Sequence, residues 1–136
     1  MSQEDNINFW LSSSSDDFNT AKAMLIAKRY NYTMFMCQQC LEELLKAVLV
    51  IQTNNHPPFL HDLILLSRKI NLKIPGHILK ILTDINPHYI IARYKPQRFD
   101  HKIYNLSAAK KTIKDTSEAV KWFTKKMALE KYSRNL

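Results

Sequence analysis

Apolar residues recur at three- and four-residue steps along most of this chain, the spacing of helices that bury one face. A first helix is expected over about residues 4 to 28. Phe9, Trp10, Phe18, Ala21, Met24 and Leu25 form its apolar side, and Ser2 is its candidate cap. The run Ser12 to Ser15 has poor helix propensity, so a later start at a Ser14 or Ser15 cap, behind an N-terminal arm, is the competing reading. Trp10 favours the longer helix, because in an arm it would have nothing to pack on. Asn31 reads as the break before a second helix, about Tyr32 to Gln52. There Phe35, Cys37, Cys40, Leu41, Leu44, Leu45, Val48 and Leu49 mark the most buried element of the fold.

Asn54-Asn55-His56-Pro57-Pro58 ends that helix, since two prolines cannot extend a hydrogen-bond ladder. A short helix over about His61 to Ile70 turns Leu63, Leu66 and Ile70 inward, with Asp62 favouring the positive end of its dipole. Pro75-Gly76 separates it from a fourth, about His77 to Ile85. Residues 86 to 104 hold two prolines and the string Ala92-Arg93-Tyr94-Lys95-Pro96-Gln97-Arg98-Phe99-Asp100-His101. This reads as a loop longer than a helix connection requires, and loops of that kind tend to carry function. A last helix, about Ser107 to Met127, buries Ala109, Ile113, Thr116, Val120, Phe123 and Met127. Its Lys110, Lys114, Lys121 and Lys125 fall within about 60° of one another and form a basic stripe. Residues after Glu130 read as a frayed tail. The pattern is all-α: one domain over residues 1 to 136, an antiparallel up-and-down bundle of four to five helices with its core over about 8 to 127.

Composition narrows the chemistry. With a single glycine, Gly76, the chain cannot write a Gly-rich phosphate loop, so phosphate binding falls to side chains or helix ends. Cys37 and Cys40 stand one helical turn apart on an apolar face and read as reduced, buried thiols rather than a redox or zinc motif. Glu42 and Glu43 diverge by about 100° on a helix and cannot converge on an ion, so no metal and no cofactor is expected. Glu42 and Lys46 have the spacing of an exposed helical ion pair. No stretch is long and apolar enough to span a bilayer and the first residues do not form a signal peptide, so a cytoplasmic protein without membrane contact is expected. The formal charge of +8 is uneven, −2 over residues 1 to 60 and +10 over 61 to 136, which points the C-terminal half at a polyanion such as RNA or a nucleotide.

Four pieces stand in order: Trp10 with Asp17-Phe18 and Ala21; Gln38-Gln39-Cys40-Leu41-Glu42-Glu43-Leu44-Leu45-Lys46-Ala47; His61-Asp62-Leu63 with Leu66; and Ala92-Arg93-Tyr94. In order and spacing, over about residues 8 to 127, they resemble the HEPN family. The resemblance implies a helical bundle that forms a homodimer, often encoded beside a minimal nucleotidyltransferase of the MNT type as a toxin–antitoxin pair. It also implies, for catalytic members, a metal-independent ribonuclease whose arginine and histidine meet in a cleft between protomers. Arg93 matches the arginine. His101 lies beyond it with seven residues between them, a longer interval than catalytic members use.

RNA cleavage needs an acid or base at the 2′-hydroxyl and a cation at the phosphate, the tasks that suit His101 and Arg93 respectively. Lys95 and Arg98 would hold the backbone, Tyr94 and Tyr104 would stack a base or orient a phosphate, and Lys46 would add a secondary contact. Tyr94 or Tyr104 is also the candidate for modification by a nucleotidyltransferase partner.

Overall fold

In the computed structural model, which describes residues 2 to 132, the chain forms α-helices joined by short turns, with no strand among the described residues. The first, α1, runs Gln3–Ile26 straight through the serine run. Ser2 starts it with a reciprocal cap: its hydroxyl accepts from the Asp5 N–H at 3.1 Å, and the Asp5 carboxylate accepts from the Ser2 N–H at 3.3 Å. The serines cost little because Ser14 is spent inside, its hydroxyl donating to the Cys40 carbonyl at 2.8 Å. The later start and the N-terminal arm are thereby excluded. The second helix, α2, spans Tyr30–Thr53, and the break before it falls not at Asn31 but at residues 27 to 29, where Lys28 adopts a left-handed φ of 61°. Asn31 instead sits in the first turn of α2 and donates from its amide to the Ala92 carbonyl at 3.0 Å.

Gln3 reaches the Val50 carbonyl while Ser14 reaches that of Cys40, so α1 and α2 run antiparallel along most of their length. Three further helices close around α2. The short α3, Leu63–Lys69, is capped by Asp62, whose carboxylate accepts from the N–H groups of Ile64 and Leu65. The next, α4, is Gly76–Ile85, and α6 is Leu106–Met127, capped by Asn105. Leu41, Leu45, Val48, Leu63, Leu66, Ile78, Leu82 and Phe123 form one core. The result is an antiparallel helical bundle, as the periodicity predicts.

Residues 86 to 104 are not the open loop expected from their prolines. They form a 3₁₀ turn at Asn86–Tyr89, the short helix α5 at Ile91–Tyr94, and a second 3₁₀ turn at Pro96–Phe99. Each proline sits in the first turn of its element, where the missing N–H has no partner to lose. A small second core holds the segment down: Met34 of α2, Ala92 and Tyr104, flanked by Tyr30, Phe35, Ile91 and Ile103. At the other end, Ala128 turns left-handed and Leu129–Tyr132 closes a last 3₁₀ turn, so residues 130 to 132 are ordered; the rest of the expected frayed tail, 133 to 136, lies outside the described residues.

The Glu42–Lys46 pair is the clearest departure from expectation. It is not exposed: the residues are 4% and 5% accessible. The Glu42 carboxylate accepts from Lys46 Nζ at 3.0 Å and lies 3.1 Å from His61 Nδ1, and Lys46 Nζ stands 5.2 Å from the centre of the Trp10 ring. Trp10 thus finds its packing role as the lid over a buried ammonium. A buried pair contributes little net stability, yet losing one member strands the other. Lys46→Met should therefore cost about 3–5 kcal/mol in urea unfolding, and adding Glu42→Gln should recover most of that loss. An additive double variant would show that the charges do not act as a pair.

Candidate nucleic-acid interface

The turn between α1 and α2 and the segment after α5 come together at the N-terminal end of α2. A cavity of about 410 Å³ opens there, lined by Lys28, Arg29, Tyr30, Asn31, Tyr32, Arg98, Phe99, His101 and Tyr104. That volume falls within the range of small-molecule sites, and no carboxylate lines it. Three basic side chains and an imidazole share it with four aromatic rings. Arg29, the residue preceding α2, makes no side-chain cap, so the first-turn N–H groups of a 24-residue helix receive no acceptor from it and the positive helix end adds to the field. The Arg98 guanidinium is fixed, donating to the Arg93 carbonyl at 2.9 Å and lying 4.5 Å from the centre of the Phe99 ring.

The expected site residues divide. His101 and Arg98 line the cavity. Arg93 does not; its guanidinium lies over the rings of Phe35 at 5.0 Å and Tyr94 at 5.4 Å, so one protomer does not bring Arg93 and His101 into one cavity. Lys95 is exposed on the same segment, outside the cavity wall. Tyr94 and Phe99 stand out into solvent, 69% and 70% exposed, whereas Tyr104 is only 4% exposed and forms a wall rather than a free stacking platform. Lys46 is held in the core by Glu42 and does not reach the cavity. The residues missed in the sequence are Lys28 to Tyr32. Their signal was present, a Lys-Arg-Tyr-Asn-Tyr string at a helix break, but it lies in the half of the chain whose net charge is negative.

The HEPN domain family model matches residues 7–127. The chain belongs to the HEPN family. Two solved structures share the fold. TT1696 from Thermus thermophilus is 17% identical, with a TM-score of 0.78 over 88% of this chain and 97% of its own. ST0689, an archaeal HEPN homologue, is 20% identical, with a TM-score of 0.71 over 88% and 96%. Among proteins of curated function, none matches the sequence.

Of the buried titratable groups in this HEPN domain, Tyr104 lines the cavity and His88 touches Tyr104, while Cys37, Cys40 and Glu43 are outside the cavity wall. His88 pairs with the Tyr104 hydroxyl at 2.7 Å, and burial pushes its imidazole down to about 4 and the phenol up, so both are neutral at physiological pH and Tyr104 is pinned. Cys37 and Cys40 are free, buried thiols; burial raises Cys37 to about 12 and Cys40 further, which makes them inert. Glu43 is pushed well above the carboxylate range, first by burial and then by the neighbouring Asp17. Its Oε1 is buried without a hydrogen-bond partner, a position far less costly for a neutral carboxyl than for an anion.

These shifts act on stability with opposite signs. His88, depressed from 6.5, contributes stability that is lost as pH falls from 6.5 through about 4. Glu43, raised from 4.5, contributes stability present at acid pH and lost as pH rises above that value. Urea unfolding should accordingly show wild-type stability declining between about pH 6.5 and 8.5, with Glu43→Gln flattening that decline. An unchanged slope in the variant would mean that Glu43 is already ionised in the native state.

Proposed function

We propose that this HEPN domain binds RNA or a nucleotide through the cationic cavity at the α1–α2 turn, as the helical partner of an MNT-type minimal nucleotidyltransferase in a toxin–antitoxin pair. The observation that carries the binding is the cavity itself: Lys28, Arg29, Arg98 and His101 around aromatic rings, at the positive end of a long helix, with no carboxylate in the wall. Guanidinium and ammonium groups take the phosphates, and Tyr32 and Phe99 offer faces to a base. Family membership supports the nucleotidyltransferase partner. Exposure of Tyr94 and Phe99 beside the cavity supports a homodimer built across this end of the bundle. The unbridged, inert thiols fit a cytoplasmic setting.

Lys28 offers a sharp test. A non-glycine residue at a φ of 61° is strained by roughly 1 kcal/mol, a cost that glycine would remove. Lys28→Gly should therefore stabilise the fold slightly while weakening binding of a single-stranded RNA oligonucleotide and lowering its salt slope by about one. Arg98→Ala should weaken the same binding by roughly tenfold or more. Unaltered affinity in both variants, read by fluorescence anisotropy, would remove the cavity from consideration.

A second reading is favoured by His101 lying in the cavity wall: a metal-independent ribonuclease toxin, with Arg93 contributed across the dimer cleft. It predicts RNA cleavage in EDTA that His101→Ala abolishes without loss of helicity by circular dichroism. Cleavage that survives in His101→Ala would reject the histidine as the acid or base.

A further inference from the structure

The basic stripe on α6 takes no part in the cavity at the α1–α2 turn. Lys110, Lys114, Lys121 and Lys125 are exposed, and none forms an ion pair with a described residue, whereas Lys111 on another face is tied to Asp115 at 2.6 Å. At the rise of an α-helix the row is roughly 22 Å long. Beside it, between α1 and α6, runs a groove of about 490 Å³. Phe18 and Ile113 supply its apolar floor, and Lys22, Lys114 and Lys121 supply its cations, with Ser117 and Glu118 between them.

We propose that this groove docks an acidic amphipathic helix of a protein partner. The floor is apolar and half-buried, suited to one edge of such a helix, and the lysines repeat at helical intervals, so carboxylates spaced by one and two turns on the partner would meet them in register. Nucleic acid fits less well. Glu118 interrupts the row with a side chain 52% exposed and only a 3.7 Å contact to His77; it would repel a continuous phosphate strand, whereas a partner helix can place a lysine or arginine opposite it. No arginine lines the groove, so it has no guanidinium fork for a phosphate, and Phe18 is the one aromatic ring in its lining, too few to stack successive bases. Charge complementarity with an apolar seam therefore selects a protein helix.

The test uses the full chain and a synthetic helical peptide bearing leucines along one edge and glutamates at i, i+4, i+11 and i+15 beside them, with a scrambled peptide of the same composition and an oligouridylate RNA as comparisons. The ordered peptide should shift the amide resonances of Phe18, Ile113 and Lys114. Lys114→Glu with Lys121→Glu should weaken it by about tenfold or more, while Arg98→Ala leaves it unchanged. A peptide with lysines in place of the glutamates should regain affinity for the reversed-charge variant, a result that misfolding could not produce. Equal binding of the scrambled peptide, no binding of the ordered one, or loss of RNA rather than peptide affinity in the Lys114/Lys121 variant would each overturn the proposal. Because the RNA arm is read through Arg98, failure of the cavity to bind RNA would leave this result standing.

Discussion

Burying α2 on nearly every side is the constraint from which the rest of this structure follows. A helix in that position has no solvent-facing stripe for polar residues, so those it carries are satisfied inside, apart from Glu43, whose Oε1 has no hydrogen-bond partner and which burial holds towards its neutral form. Gln38 donates to the His61 carbonyl at 2.7 Å and accepts from Gln39, and Glu42 gathers Lys46 and His61. Those bonds fasten the stretch between α2 and α3, which carries two prolines and cannot be held by a backbone ladder of its own. The polar residues of α2 thus fix the path of its neighbours in addition to meeting the cost of their own burial. What they lack is freedom to bind: a lysine whose ammonium sits between a carboxylate and an indole has no charge left over for a ligand.

The N-terminal third of α2 is less tightly enclosed. There the main core gives way to the smaller cluster around Met34, Ala92 and Tyr104, and the helix end opens on the cavity. The cluster converts a proline-rich connection into three short helical turns. Tyr104 is locked to His88, and Asn31 is tied to the backbone of Ala92, so the cationic groups ride on an anchored support. Pre-positioning of that kind lowers the ordering cost that flexible loops carry on binding.

Much of the fold was legible because its signal is local and repeated. Three- and four-residue periodicity marked each long helix, and Ser2 and Asp62 announced their caps. What the local pattern left open or misread shares a cause: burial by residues distant in sequence. The serine run could be helical because Cys40, on another helix, offers Ser14 an acceptor. Glu42 and Lys46 have the spacing of a surface pair, and nothing local in the sequence states that Trp10 and His61 will cover them. At the site, the stretch from 93 to 101 was visible by its charge and irregularity, yet it supplies only half of the cavity. The other half, Lys28 to Tyr32, is brought opposite by the packing of residues 86 to 104 on the N-terminal end of α2, through the Met34, Ala92 and Tyr104 cluster and the Asn31–Ala92 hydrogen bond, a relation that no single window of sequence contains.

The two basic surfaces of the domain differ in kind, and the difference bears on what each can recognise. The cavity joins arginine to aromatic rings at a helix N-terminus, a set that reads phosphate geometry and base faces. The α1–α6 groove joins lysine to aliphatic and half-buried aromatic carbon, with a carboxylate in the middle, a set with little power to orient a phosphate but well matched to the mixed surface of a helix. A net charge alone would treat them as one polyanion-binding face. Resolved residue by residue, the same +8 separates into a site for an anion that must be held in one orientation and a surface for a partner that must be held in one register.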